Sequence, residues 1–394
     1  MKASVIIPSY NSAERLYLNL LSLNYQDCPK DDFEVIVVDN GSRDDTPQTV
    51  LSFKAEFDMK YIRLNSNHCR ACARNIGAAY ATGEILIFND SDMINASGYI
   101  SSHIREHGDI AAAVCGYGWR RIYSYYYREF SGYLRSNFLE QKKKYNIRGS
   151  RYKNAESFRL IGENEIAGDQ FLKYSFFLDK RQKVLDEVMS LYGKDMKGYS
   201  FPWRFFMTNN CSLPRKTFCE LDGFDENYVD WGCEDIDLGY RLFKKGVAFR
   251  LAPGCISLHQ EHPVEKYLNG EDSICYFLDK YNSVDLYMFY YGKYCAEDNL
   301  ILNEAVREAG MLEIRDGCKE LLGSFLRMLK ALGHCDMYAV NDKYYRYPKV
   351  LSDYDIDELE HSLGTICKAE GMKNFVKVYE GLMKKVVMQP SPGQ

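Results

Sequence analysis

The sequence lacks the signature motifs of several large enzyme classes. No G-x-G-x-x-G follows the first predicted strand, which disfavours a dinucleotide-dependent dehydrogenase, and no G-x-x-x-x-G-K-[S/T] indicates a P-loop phosphotransferase. G-x-S-x-G and H-E-x-x-H are absent too, which disfavours a nucleophile-elbow hydrolase and a zinc protease. The candidate functional residues that remain are clusters of carboxylates and one histidine.

Long apolar runs and a basic excess are also missing. No stretch approaches the roughly 18–20 apolar residues that cross a bilayer. The apolar burst at the N-terminus is broken by Pro8 and is too short for a signal peptide. We therefore expect a cytoplasmic protein, either free or at the inner face of the membrane. With 50 Lys and Arg against 55 Asp and Glu, the net charge of −5 disfavours a general nucleic-acid-binding protein.

The cysteines form no metal-binding pattern. There are thirteen, an odd number, and they are scattered along the chain. Only Cys69 and Cys72 are spaced as C-x-x-C, and no second pair stands at the distance of a zinc ribbon. We therefore expect buried, reduced thiols.

The first hundred residues alternate apolar, strand-like runs with helical stretches. The predicted strands are 4–7, 34–38, 61–64 and 84–89, and the predicted helices are 12–24, 44–57 and 69–81. This alternation indicates an α/β fold with a parallel sheet covered on both faces. Ligands bind such sheets beyond the carboxyl ends of the strands. The segments at those ends are 8–11, 39–42 and 89–92.

Beyond residue 118, the charge, the tyrosine content and the apolar spacing of the sequence change several times. Residues 120–159 contain eleven Lys and Arg against three acidic residues, interleaved with tyrosines. Such a segment suits an acidic glycan, anionic lipid headgroups or a second subunit, and a solvated charged face explains it equally well. An α/β-like block follows, and helical spacing recurs at 271–291, 300–332 and 355–387. The predicted division is 1–118, 119–200, 201–270 and 271–394.

Asp90, Ser91 and Asp92 follow the fourth predicted strand directly. Two carboxylates at positions i and i+2 beyond a strand end can share one divalent cation. Oxygen ligands suit Mg²⁺ or Mn²⁺, which usually complete their shell with substrate phosphates. The alternative is an ordinary turn rich in Asp and Asn.

A second acidic cluster lies in the segment WGCEDIDL, residues 231–238. Glu234 and Asp235 stand at the predicted start of a helix, whose dipole favours the ionised carboxylate by ~0.3–1 kcal/mol. One of them can act as a general base beside Trp231, a flat platform for a sugar ring. Helix capping alone also explains the acids, and Asp237 is better explained as a helix-start residue.

His259 follows another strand-like stretch. A lone histidine is usually structural, but together with the D-x-D motif it becomes a candidate imidazole ligand for the same cation. His262 is the alternative candidate.

Four ordered segments resemble family-2 glycosyltransferases of the GT-A type. SVIIPSYN, VIVVDNGSRDDT and NHCRACARNIGAAYATGEILIFNDSDM resemble the nucleotide-sugar half of that family. NNCSLPRKTFCELDGFDENYVDWGCEDIDLGYRL is similar to the acceptor half shared by β-1,4-galactosyltransferases and chondroitin-polymerase-like bacterial enzymes. The resemblance covers roughly 1–118 and 200–262. It implies a Rossmann-like, mostly parallel sheet, here with an inserted segment at 119–200 and a C-terminal helical extension.

The resemblance also implies roles for individual residues. Pro8, Tyr10 and Asn11 would cradle the nucleotide, Asp39 would bind the uracil, and Arg74 would help to shape the donor site. The residues that it places at substrate are Pro8, Tyr10, Asn11, Asp39, Arg74, Asp90, Ser91, Trp231 and Gly232.

The same resemblance implies the catalytic and metal-binding residues. Asp92 and His259 would hold Mn²⁺ or Mg²⁺. Glu234 would bind an acceptor hydroxyl, and Asp235 would be the general base. The spelling E-D, rather than the E-N of related retaining enzymes, implies inversion at the anomeric carbon.

The implied function is a metal-dependent inverting glycosyltransferase. It would move a hexose or N-acetylhexosamine from a UDP-sugar to a saccharide, a lipid-linked saccharide or a peptide. The C-terminal helices suit a homodimer seam. One rival is a non-catalytic glycan- or nucleotide-binding scaffold of the same fold. Another is a sugar-nucleotide-forming nucleotidyltransferase, which would need a glycine-rich, lysine-bearing N-terminal signature that is missing.

Overall fold

The structure is a computed structural model that describes residues 1–108, 110–145, 156–177, 179–229, 231–263, 270–291, 299–314, 318–339 and 372–386. The chain forms two compact units. The first comprises residues 1–198 and 202–273, and the second comprises residues 199–201 and 274–394.

The described residues form thirteen strands and fourteen α-helices. The strands are β1 Ala3–Ser9, β2 Phe33–Asp39, β3 Asp58–Arg63, β4 Ile85–Phe88, β5 Met93–Asn95, β6 Ala112–Gly116, β7 Arg120–Ile122, β8 Tyr125–Tyr127, β9 Ser157–Arg159, β10 Phe176–Phe177, β11 Cys211–Pro214, β12 Ala248–Ala252 and β13 Ser257–Gln260. The helices are α1 Ala13–Asn24, α2 Thr46–Ser52, α3 Arg70–Ala79, α4 Tyr99–Glu106, α5 Gly132–Lys144, α6 Glu163–Ala167, α7 Asp179–Tyr192, α8 Arg215–Glu220, α9 Glu234–Lys244, α10 Glu271–Tyr281, α11 Val284–Tyr291, α12 Asn299–Glu313, α13 Lys319–Ala339 and α14 Lys373–Val386.

A seven-stranded sheet in the order β12-β6-β11-β4-β1-β2-β3 forms the centre of the first unit. Its neighbouring strands are parallel except where β11 runs antiparallel to β4 and β6. The continuous apolar runs of β1 and β2 are buried because helices cover the sheet. Helix α3 lies so close that a Cβ at Gly77 would come within 2.5 Å of Ile6. The predicted α/β class with a mostly parallel sheet and C-terminal helices is confirmed.

A second sheet, in the order β10-β7-β13-β5, brings distant segments together. In β13, His259 pairs with Met93 of β5 and with Arg121 of β7. Since Met93 directly follows Asp92, this register places His259 beside the D-x-D motif. No motif in the sequence encodes that pairing.

Within the predicted insertion 119–200, the described residues up to 198 belong to the same compact unit as residues 1–118. Part of its aromatic content is core, since Tyr123, Phe130, Phe138 and Phe176 form a buried cluster. The tyrosines are therefore divided between the interior and the surface, and Tyr133 is largely exposed.

Several predicted helices differ in extent from those in the structure. The helix predicted over 44–57 ends at Ser52, because Phe53 is extended and packs against the core. The helical stretch 271–291 is interrupted at Asn282, which has a positive φ of 47°. Within 355–387, helix α14 covers Lys373–Val386, and most of the remainder lies outside the described residues.

The second unit consists of helices in its described part. Phe325 of α13 packs against Phe375 and Tyr379 of α14, with stacked rings 5.2 Å apart for the Phe325–Tyr379 pair. Among the helices that the structure describes, none is both long and apolar enough to cross a membrane.

Candidate active site

A buried guanidinium joins the two acidic motifs. Nη2 of Arg74 donates to Oδ1 of Asp90 at 2.9 Å, and Nη1 donates to Oε1 of Glu234 at 2.8 Å. The Arg74 side chain is only 3% exposed. Strand β4 ends just before Asp90, and α9 begins at Glu234. The D-x-D motif and the acidic cluster of residues 231–238 therefore lie together, and Arg74 binds one carboxylate of each.

The loop before α9 directs its acids into this cleft. Gly232 has a φ of 107°, and Cys233, at 67°, is also in the left-handed region. This conformation costs a glycine little, and it turns the chain so that Glu234 and Asp235 form the first residues of α9. Trp231 is 47% exposed beside them, which leaves its indole accessible to a ligand.

Asp235 is a carboxylate of raised pKa. Burial and the neighbouring charge of Glu234 raise its pKa to about 7, against the opposing effect of Arg74. Its Oδ1 accepts a hydrogen bond from the Ile236 N–H at 2.8 Å, and Oδ2 accepts a weak one from the Thr208 N–H at 3.4 Å. The helix-dipole expectation of a stabilised anion is wrong here, because burial and Glu234 outweigh it. A pKa near neutrality suits a group that must gain and lose a proton.

The pKa of Glu234 is shifted in the opposite direction from that of Asp235. Burial alone would raise its pKa, but the Arg74 guanidinium lowers the pKa of Glu234 below its ordinary value. Its Oε2 is buried and has no hydrogen-bond partner among the described residues. A buried carboxylate oxygen left without a donor is costly, so this atom is suited to receive a ligand hydroxyl.

Asp92 forms a cluster with two histidines. Its Oδ2 lies 3.4 Å from Nε2 of His259 and 3.2 Å from Nε2 of His262. One ligand atom from each of the three residues lies within 4.8 Å of the others. His262, the alternative candidate, therefore lies beside His259, and both imidazoles can reach one ion. The spacing H-x-x-H in the sequence was a signal that both histidines could bind the same ion.

This cluster fits a divalent cation. Metal–ligand bonds of about 2.1 Å at right angles or tetrahedral angles place ligand atoms ~3.0–3.4 Å apart, close to the distances found here. Oδ1 of Asp92 is buried without a partner among the described residues. Imidazoles suit transition metals, whereas Mg²⁺ prefers oxygen ligands, so the donor set favours Mn²⁺ over Mg²⁺.

The charges within the cluster reinforce one another. Burial would raise the pKa of Asp92, but His259 and His262 hold it well below its usual range. Burial would likewise lower the pKa of His259, yet Asp92 and Glu261 raise it to about 9. An incoming cation would therefore displace a proton from His259.

Glu261 is a site residue that sequence reasoning missed. It is 4% exposed, its Oε1 lies 3.5 Å from Nδ1 of His259, and it is salt-bridged to Arg121. Residues two apart in extended backbone face the same side, so the pattern H-x-E directly after a strand was the available signal. A carboxylate behind a metal-binding imidazole fixes its orientation.

The predicted nucleotide-binding residues lie at the carboxyl ends of β1, β2 and β4. Asn11, with a φ of 47°, accepts the Arg43 N–H at its side-chain oxygen and donates its own N–H to Ser42. Tyr10 is 41% exposed. Pro8 is the penultimate residue of β1 and is partly buried.

Asp39 and Ser91 carry internal hydrogen bonds at this edge. Oδ1 of the buried Asp39 accepts the Ser42 N–H, and Oδ2 accepts the Tyr61 hydroxyl, both at 2.8 Å. Oγ of Ser91 accepts the Ser12 hydroxyl at 3.0 Å. Both residues therefore help to shape the loops; Asp39 keeps free lone pairs for a ligand, and Ser91 keeps its hydroxyl hydrogen.

The C-x-x-C pair caps a helix. Cys69 is the N-cap of α3, and its Sγ accepts the Cys72 N–H at 3.3 Å. The described cysteines are free thiols, of which Cys115, Cys211, Cys233 and Cys255 are buried. Within the described residues, the group of side chains close enough together to hold a metal ion is the one around Asp92.

Two family models match this chain. "Glycosyl transferase family 2" matches residues 4–167, and "N-terminal domain of galactosyltransferase" matches residues 192–263. The first match extends beyond residue 118, so part of the segment predicted to be an insertion follows the family pattern.

Relatives show the same family over longer spans. The "Uncharacterized glycosyltransferase YfnE" of Bacillus subtilis is 38% identical and covers 98% of this chain and 97% of its own length. The validoxylamine A glucosyltransferase of Streptomyces hygroscopicus is 33% identical over 62% of this chain and 52% of its own length. The chondroitin synthase of Escherichia coli is 29% identical over 66% of this chain and 35% of its own length.

Solved structures with similar backbones include S. aureus TarS 1-349 in complex with UDP. Its TM-score is 0.45 at 17% identity, covering 99% of this chain and 93% of that chain. The predicted resemblance to family-2 glycosyltransferases and to chondroitin-polymerizing enzymes is confirmed by the family models and the relatives. The chain belongs to glycosyltransferase family 2 and is a glycosyltransferase.

Proposed function

We propose that this glycosyltransferase is a metal-dependent, inverting enzyme. It moves a hexose or N-acetylhexosamine from a UDP-sugar to a saccharide, a lipid-linked saccharide or a peptide. The observation that carries the proposal is the bridge from Asp90 through Arg74 to Glu234, which ties the D-x-D loop to the start of α9. The similarity to a validoxylamine A glucosyltransferase and to a chondroitin synthase supports a hexosyl unit and a saccharide acceptor.

The donor end of the site consists of the strand-end loops and the Asp92 cluster. Asp92, His259 and His262 would hold the cation, preferably Mn²⁺. When bound, such an ion acts as a Lewis acid for the charge that develops on a departing nucleoside diphosphate. Asp90 would contact the ribose and the sugar, and the loops of Tyr10, Asn11 and Asp39 would hold the nucleotide.

The acceptor end consists of Trp231, Glu234 and Asp235. Trp231 would pack on the acceptor sugar, and the unpartnered Oε2 of Glu234 would accept a hydrogen bond from an acceptor hydroxyl. Asp235 would take the proton of the attacking hydroxyl as the new bond forms on the face of the anomeric carbon opposite the leaving group. General-base assistance contributes typically ~10²–10⁴-fold.

Arg74 is a positioning residue in this proposal. Its two hydrogen bonds hold Asp90 and Glu234 in fixed relative positions and keep Glu234 ionised. Glu234 in turn helps to raise the pKa of Asp235. The two neighbouring carboxylates are thereby divided into a fixed anion and a base whose pKa is close to neutrality.

The cytoplasmic location, peripheral membrane contact and homodimer stay predictions.

Donor hydrolysis tests the proposal against the scaffold alternative. The full chain is incubated with Mn²⁺ and a panel of UDP-sugars, and release of UDP is followed with and without EDTA. We expect slow hydrolysis of at least one donor that stops with EDTA. Nucleotide binding without hydrolysis or transfer for any donor and acceptor would favour the non-catalytic scaffold.

A further inference from the structure

A concave pocket of the first unit adjoins the metal-binding part of the proposed site. Its wall includes His259, one of the proposed metal ligands, and Met93, the residue after Asp92. It also includes Met207 and Asn209, which flank Thr208, whose N–H contacts Asp235. A group seated in this pocket would therefore lie against His259 of the metal cluster and against the segment whose Thr208 contacts Asp235.

The pocket carries one positive charge that no acid of the described residues balances. Arg120 and Arg121 both line it, but Arg121 is salt-bridged to Glu261. Among the residues that the structure describes, no carboxylate oxygen lies within 4.0 Å of the Arg120 guanidinium. Arg120 instead lies over the Phe177 ring, 4.9 Å from its centroid, and is partly buried. An arginine held by a ring keeps its donors available for a planar anion.

The remaining polar lining is suited to a sugar. Trp119 contributes an aromatic surface. The side-chain amide of Asn209 has no hydrogen-bond partner in the described part of the chain, while its backbone oxygen is fixed by Asn89. An aromatic body, one free amide and one unbalanced arginine together match a hydroxylated ring that carries a negative charge.

We propose that this pocket binds a sugar unit bearing an anionic substituent, a carboxylate or a phosphate, and that Arg120 pairs with that substituent. The inference rests on the proposed function, because it names the substrate class of the same site. The anionic sugar can be the donor's transferred unit or the terminal unit of the acceptor. Both sources present the same chemistry to Arg120, so they are separated by experiment.

Two binding series on the full chain with Mn²⁺ distinguish the sources. The donor series compares UDP-glucuronate with UDP-glucose by calorimetry. The acceptor series, with UDP present, compares methyl glucuronide and methyl 6-phosphoglucoside with methyl glucoside. In one series we expect the anionic ligand to bind at least tenfold more tightly than its neutral partner, an advantage that falls as salt is raised.

Matched variants assign that preference to Arg120. Arg120→Gln should abolish the preference and leave the neutral ligand's affinity unchanged. Arg128→Gln removes the same charge from an exposed residue of the same segment and should retain the preference. Equal binding of charged and neutral ligands in both series, or equal losses in the two variants, would overturn the inference.

The controls separate this inference from the proposed function. If UDP binds with Mn²⁺ but neither series discriminates, the pocket assignment fails and the proposed function stands. If UDP does not bind at all, both fail.

Discussion

Nη1 of Arg74 donates to Oε1 of Glu234 at 2.8 Å, and this bond joins residues 160 positions apart in the chain. Both side chains are almost completely buried. The same guanidinium binds Asp90, so one cation fixes one acid from each half of the site. Several consequences of this arrangement can be measured.

Arg74→Met should destabilise the protein, because it leaves two carboxylates near each other without their cation. Removing one partner of a buried ion pair typically costs about 3–5 kcal/mol, and we expect a loss of this order in the free energy of unfolding in urea. Arg74→Lys is the control, since it keeps the positive charge and loses the planar guanidinium that binds both carboxylates. If Arg74→Met unfolds at the wild-type urea concentration, the bridge does not stabilise the fold.

Asp235→Asn should lower kcat at least a hundredfold and leave UDP affinity close to that of the wild type. The side chain keeps its size and loses the ability to accept a proton. Because the pKa of Asp235 is raised to about 7, the wild-type rate should rise with pH through that value as the base ionises. A parallel loss of UDP affinity, or a pH profile that persists in the variant, would contradict the assignment.

Glu261→Gln should weaken Mn²⁺ binding about 10–100-fold, the usual effect of removing a partner behind a metal-binding histidine. Electron paramagnetic resonance of the unliganded protein titrated with Mn²⁺ measures this without relying on activity. Glu129→Gln, at an exposed position, is the matched control. Wild-type Mn²⁺ affinity in Glu261→Gln would show that the imidazole needs no such support.

A buried histidine pair should make the fold sensitive to acid. Burial lowers the pKa of His103 to about 3, and burial with Arg250 lowers that of His107 to about 4. Both rings contact the Ser212 hydroxyl at 2.8 Å. In the unfolded chain these two histidines bind protons below pH ~6.5, whereas in the folded chain they do so only at much lower pH. The contribution of the two neutral histidines to the free energy of unfolding is therefore complete above pH ~6.5, and it is lost as the pH falls toward about 4.

Urea unfolding at pH 7.5 and pH 5.5 tests this. Each histidine contributes up to ~1.4 kcal/mol per pH unit below its unfolded pKa. Asp235, with its raised pKa, acts in the opposite direction, so the informative quantity is the difference between variants. His107→Gln should lose less stability on acidification than the wild type. An equal loss in the two proteins would exclude His107 as a source of the pH dependence.

The sequence predicts the parts of the site that depend on local pattern. Apolar runs ended by Pro8–Asn11, Asp39–Ser42 and Asn89–Asp92 indicate a parallel sheet with ligand loops at one edge, and the strands do end there. The left-handed backbone at Cys233 and the participation of Glu261 were not predicted, and His262 was predicted only as the alternative to His259. The positions of Glu261 and His262 depend on the pairing of β13 with β5 and β7, a long-range register that no local pattern encodes.

The protonation of Asp235 was missed for a related reason. From the sequence, a carboxylate at a helix start is stabilised as an anion by the helix dipole. In the folded chain, burial and the adjacent charge of Glu234 raise the pKa of Asp235 more than Arg74 lowers it. The Arg74 guanidinium forms its hydrogen bonds with Glu234 and Asp90 instead. Burial of that kind is a property of the packed cleft.

The most direct test of the account is Mn²⁺ binding followed by paramagnetic resonance in the wild type, Asp92→Asn and Asp235→Asn, with sugar transfer or donor hydrolysis measured on the same samples. The account predicts that Asp92→Asn loses both the bound ion and turnover, whereas Asp235→Asn keeps the ion and loses turnover. Wild-type Mn²⁺ affinity in Asp92→Asn, or full turnover in Asp235→Asn, would contradict it.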